Sequence, residues 1–158
     1  MPTDVVFALA VGIGIVAGLR SLTAPAAVSW AAHLGWLHLQ GSSLALLGST
    51  AAVVILSLLA IAEYVADLLP ATPRRTTPGP LFARIVMGGL SGASLCASAG
   101  RSLPLGAALG GLGAVIGAFA GYEARTRLVR ALKVKDRVIA LAEDVVAIVL
   151  AWLFVTWR

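Results

Sequence analysis

Two pairs of carboxylates stand inside otherwise apolar stretches of the chain. Glu63 and Asp67 lie four residues apart, at the end of a run from Leu44 to Ala62 that carries no charge. Glu143 and Asp144 open a second uncharged run, Val145–Trp157. The cations placed to answer them are Arg20, which ends the uncharged stretch Val5–Leu19, and Arg84, which precedes uncharged Ile85–Gly100. A charged side chain at the centre of a membrane helix costs about 2.5–3.5 kcal/mol on insertion scales. Residues that carry this cost either pair with one another or serve a site. Helical spacing puts Glu63 and Asp67 on one face. Neighbours in a helix point about 100° apart, so only one of Glu143 and Asp144 can aim at the same place as Glu63, and Glu143 is the expected one. Two roles stay open for Arg20, Glu63, Asp67, Arg84, Glu143 and Asp144. One is an ion-pair network that orients helices. The other is a polar cavity in which a carboxylate binds a cation or exchanges a proton.

Other chemistry finds little support. His33 and His38 are five residues apart and share no helical face. With no acid or cysteine beside them they read as interfacial groups rather than metal ligands. Tyr64 and Tyr122 each stand next to a glutamate, Glu63 and Glu123, where they could donate to a carboxylate or anchor near lipid headgroups. Ser21 beside Arg20 is too little to define a nucleophile. The sequence contains no H-E-x-x-H motif and no glycine-rich phosphate loop. Neither enzyme activity, nor a cofactor, nor a metal site is expected.

These residues need elements to hold them. The 158 residues are 59% hydrophobic and 12% charged, with a mean hydropathy of +0.97. Soluble domains carry about 25% charged residues, and a bilayer-spanning helix needs about 20 mostly apolar ones. The composition therefore predicts an all-α integral membrane protein, one helical bundle over residues 1–158 in contact with the lipid bilayer. The opening MPTD lacks the basic region of a secretory signal, so Val5–Leu22 is read as a retained helix. Cys96 is the single cysteine, which excludes an internal disulfide.

Proline and glycine mark the boundaries. A first segment, about 4–22, breaks at Arg20–Pro25, where Pro25 disfavours helix at Ala24 and Thr23 can cap a new one. A short second segment follows over about 26–39. The third runs over 44–69 and stops at Pro70 and Pro73, the fourth over 81–99, the fifth from about 105 to 127 or beyond, and the sixth over 136–157. Six spans put both termini outside. If the short second segment is re-entrant or interfacial, there are five. Arg74 and Arg75 in one loop, and Arg125, Arg127, Arg130, Lys133, Lys135 and Arg137 in another, place loops 70–80 and 125–137 on the cytoplasmic side. The net charge of +5 is accounted for by these loops, so nucleic acid is not an expected partner. The 125–137 loop suits anionic lipid.

Glycines recur at four-residue spacing: Gly14 and Gly18, Gly88 and Gly92, Gly106 and Gly110, then Gly113, Gly117 and Gly121. Small residues at this interval let helices approach closely. They suit packing within one chain, a homo-oligomer interface, or a sliding surface. The fifth helix, rich in them, is expected at the centre of the bundle. Two echoes also stand out: GLRSLTAP at 18–25 with GRSLPLG at 100–106, and IAEYVADLL at 61–69 with LAEDVVAIV at 141–149.

Three stretches, AGLRSLTAPAA, AEYVADLLPATP and LAEDVVAIVLAW, make the chain resemble a bacterial membrane family known as a domain of unknown function. The matching positions are Gly18 and Arg20, then Glu63, Ala66, Asp67 and Pro70, then Glu143 and Asp144. Leu68 stands where that family usually has Lys. The resemblance implies a multi-spanning inner-membrane protein and no particular activity. The residues themselves favour a small transporter or channel for an ion or small solute, with the carboxylates as binding or proton-coupling groups. The alternative is a membrane assembly factor or partner subunit in which the same charges are structural.

Overall fold

The described residues form six α-helices. The computed structural model describes residues 1–68 and 75–157. The stop expected at Pro70 and Pro73, and Arg74 beside it, lie outside the described residues. The helices are α1 (Thr3–Leu19), α2 (Thr23–His33), α3 (Thr50–Asp67), α4 (Pro78–Ser98), α5 (Leu103–Leu132) and α6 (Asp136–Thr156), and the described residues contain no strand. Four of these, α3 to α6, are long and apolar enough to cross a bilayer, and α1 is a shorter apolar helix of 17 residues. Several starts are made by the residue types that favour them. The Ser49 hydroxyl accepts from Ala52 N–H at the head of α3, and Ser102 does the same from Leu105 for α5. Prolines occupy the first turns of α4 and α5, where a missing N–H costs nothing.

The third segment begins later than its apolar run suggests. Ala45–Gly48 forms a single 3-10 turn before α3. The second segment is shorter still as a helix, 11 residues, or roughly 16 Å at 1.5 Å per residue. Together with the turn that follows, it nonetheless reaches from one end of the bundle to the other. Thr23 meets Tyr64 near the end of α3 at 2.7 Å. Beyond Gly35, which takes a positive φ of 77°, His38 N–H donates to Ser98 at the end of α4, 2.9 Å away. Among the described residues the chain thus runs from one end to the other six times, and Met1 and Trp157 both line the cavity at the end opposite the carboxylates.

Helices α1, α4 and α5 form an inner trio, and α2, α3 and α6 lie outside it. Their seam is built of glycine. A side chain on Gly88 would come within 2.7 Å of the Gly110 carbonyl oxygen. One on Gly14 would overlap that same carbonyl, and Gly113 and Gly117 lie against the backbone of Val11 and Ile15. Close backbone contact of this kind is what small-x-x-x-small spacing permits. The glycines are therefore used within the chain. The centre belongs to α1 rather than to α5, which corrects the expectation from glycine content. Helix α1 touches α2, α4, α5 and α6, whereas α5 turns Leu112, Ile116 and Phe119 outward. The glycine face of α5 is covered, and its opposite face is exposed.

The outer helices show the pattern of lipid contact. Helix α6 buries Ala140, Asp144, Ala147, Ala151 and Val155 on one stripe and exposes Leu141, Val145, Ile148, Val149 and Trp152. Helix α3 buries only Val53 and Ala60. The directions alternate, so α1–α3 and α4–α6 run in opposite senses. The GLRSLTAP and GRSLPLG echoes fall at the α1–α2 and α4–α5 junctions, at opposite ends. The two acidic echoes instead meet at the same end.

Candidate functional site

The site grows from the break between α1 and α2. Arg20 caps α1 in an extended conformation, its N–H still donating to the Val16 carbonyl. This turns its side chain inward, where it is fully buried. The guanidinium Nε pairs with Asp144 Oδ1. Nη1 lies 2.5 Å from Asp67 Oδ2, an ion pair without the alignment of a hydrogen bond. Nη2 donates to the Ala140 carbonyl at 3.4 Å and stands 4.0 Å from Glu143 Oε2. One arginine thus ties α1 to α3 and α6.

Two more arginines close the network. Arg75, also buried, forms a bidentate pair with Glu143, whose second contact is 2.7 Å. Arg125 bridges Asp67 at 2.7 Å and Asp136 at 2.6 Å, and comes within 3.6 Å of Glu143. Planar guanidinium groups suit such multidentate pairing better than ammonium groups. Gly121 makes room for it. A Cβ there would lie 2.9 Å from Arg75 Nη1 and 3.2 Å from Glu143 Oε1.

Glu63 does something different. Its Oε1 accepts from the Ser21 N–H at 2.8 Å and the Ser21 hydroxyl at 2.6 Å, and its Oε2 accepts from the Leu22 N–H at 2.9 Å. The carboxylate therefore satisfies the backbone donors of the turn leading into α2. Negative charge is favoured at a helix start because unpaired N–H groups and the helix dipole both point there. Arg84 stands 3.8 Å from Glu63 and donates to the carbonyls of Gly18 and Pro80. The Tyr64 hydroxyl bonds to Thr23 rather than to a carboxylate.

All six residues singled out in the sequence, Arg20, Glu63, Asp67, Arg84, Glu143 and Asp144, meet at one end of the bundle. The details differ in one respect. Asp144, not Glu143, pairs closely with Arg20, because Glu143 is turned toward Arg75 and the α5 side. Arg75 and Arg125, expected as loop charges, both join the cluster. Arg75 reaches it from the turn before α4, and Arg125 stands inside α5, which continues to Leu132 and takes up most of the expected 125–137 loop. Glu123 stays outside, paired with Arg127 on the surface.

The opposite end holds a cavity of about 420 Å³ among the helix ends, lined by Val6, Leu9, Trp36, His38, Phe154 and Trp157 among others. Trp36 packs edge-on against Trp152 at 5.0 Å. His33 bonds to the Gly48 carbonyl, and no group of ligand residues among those described could hold a metal ion.

Apolar helices with outward-facing large side chains, closed at one end by buried ion pairs, define a helical membrane protein. Residues 7–157 match the model of a family described as a domain of unknown function, DUF4126, and the chain belongs to that family. Comparison with curated proteins and with solved structures returned no match.

Proposed function

We propose that the protein is a small membrane transporter for an ion or small solute, in which the ion-pair cluster is the closed gate of one end. The observation that carries this reading is the buried turn between α1 and α2, with Glu63 held on the backbone donors of that turn. Helix N-termini that face charged groups are a recurring element of transport sites, and the start of α2 facing Glu63 supports the reading by that likeness. Because arginine or backbone donors occupy each of these carboxylates, their role in this state is to hold helices together. Opening would require them to exchange partners. The cavity at the opposite end gives a solute somewhere to enter while the gate is shut.

Exchange of the Glu63 pairing is then required for flux. In proteoliposomes bearing proton, sodium or potassium gradients, wild-type protein should dissipate at least one gradient, and Glu63→Gln should abolish that flux while the protein still elutes as a folded species. Glu63→Gln protein that unfolds, or wild-type protein inert to every gradient and small solute tried, would count against transport. The full pairing of the cluster favours a second reading, a partner subunit with a purely structural network. That reading predicts co-purification with a fixed membrane partner and no flux alone.

A further inference from the structure

A narrow apolar crevice of about 240 Å³ opens between α5 and α6 at the charged end. Ala124 and Leu128 line one side, Ile139, Ala142 and Val146 the other, and Leu19 lies beneath. It exists because α5 leans on α1 and α4 and touches α6 only slightly. Its lining also includes Arg125 and Glu143, members of the ion-pair cluster. Directly beyond Leu128 and Ile139 the chain turns through Arg130, Lys133, Lys135 and Arg137. All four are exposed, and none pairs with a carboxylate among the described residues. Lys133 holds the turn in a left-handed conformation, φ 53°, with its helix ended and its side chain in solvent.

We infer that this crevice and the basic turn above it form a binding site for one anionic phospholipid. Part of an acyl chain can lie in the crevice, whose surface is almost wholly apolar. The phosphate then lies at the level of the unpaired cations. The charges decide the class of lipid, since each Lys or Arg near an anionic surface contributes about 1 kcal/mol, about fivefold in affinity. A zwitterionic lipid fills the same crevice without that gain. The site does not depend on whether the protein transports anything.

The test is equilibrium binding of a fluorescent phosphatidylglycerol to the purified full-length protein in detergent, competed by unlabelled phosphatidylglycerol, phosphatidylcholine or inorganic phosphate. Unlabelled phosphatidylglycerol should displace the probe at concentrations at least tenfold lower than phosphatidylcholine, and inorganic phosphate should not displace it. Lys133→Gln with Lys135→Gln should weaken binding about 25-fold, two charges at about fivefold each. Ala142→Trp, which fills the crevice from its exposed face, should weaken phosphatidylglycerol and phosphatidylcholine alike. Equal competition by the two lipids would overturn the assignment to anionic lipid. Displacement by phosphate would reduce the site to a surface anion site. Undiminished binding in both variants would place the lipid elsewhere.

Discussion

The glycine seam and the ion-pair end hold the same helices by opposite means. Along α1, α4 and α5, side chains have been removed until backbone meets backbone, with Gly110 between Gly14 and Gly88. At the charged end, long side chains reach across gaps, and Arg20, Arg75 and Arg125 span distances the backbone leaves open. The seam gains from dispersion contacts that require close approach. The cluster gains from charge pairing, set against the cost of taking those charges out of water. The seam therefore leaves no room for an added side chain, whereas the charged end is held by side chains alone.

The largest effect should come from filling the seam. Gly110→Leu places a side chain into the carbonyl of Gly88, with no flexible group able to yield. Folded protein should be lost altogether, read as an absent monodisperse peak on size-exclusion chromatography in detergent. A recovered, stable Gly110→Leu protein would mean that the seam is looser than its geometry.

Next comes Arg20→Met, which strands Asp144 and removes one of two cations from Asp67. Breaking a buried pair by removing one partner costs about 3–5 kcal/mol, so the midpoint of thermal unfolding should fall steeply. Adding Asp144→Asn should restore much of it, because the uncompensated charge goes with the pair. The same logic fails in the seam, where no second substitution replaces missing space. Absence of rescue would erase the contrast with the seam.

The smallest effect is expected from Arg127→Gln. Its pair with Glu123 is exposed on both sides, 76% and 56%, and such i,i+4 pairs contribute about 0.3–0.5 kcal/mol. Thermal unfolding should barely move. A large shift would show that the outer face of α5 carries structure beyond the bundle described.

Much of the molecule could be read from residue order. Six apolar segments, the break at Arg20–Pro25, the glycine interval and the set of six charged residues all follow from spacing and from the cost of burying charge. Segment ends were less legible. Leu44–Gly48 is as apolar as the helix it precedes, and only the Ser49 cap fixes where α3 begins. The expected resemblance to a family of unknown function agrees with the family model matched over residues 7–157.

Local physics, then, determined what each segment is: apolar enough for lipid, small enough for a seam, charged at one end. Which residues touch was decided by the tertiary structure. Arg75 enters the cluster from the turn before α4, and Arg125 from within α5, because packing brings both side chains against Glu143 and Asp67. Asp144 takes Arg20 because α6 is rotated to bury the stripe Ala140, Asp144, Ala147 and Ala151. The rotation of a helix about its axis is set by the neighbours it packs against. No single segment carries that information.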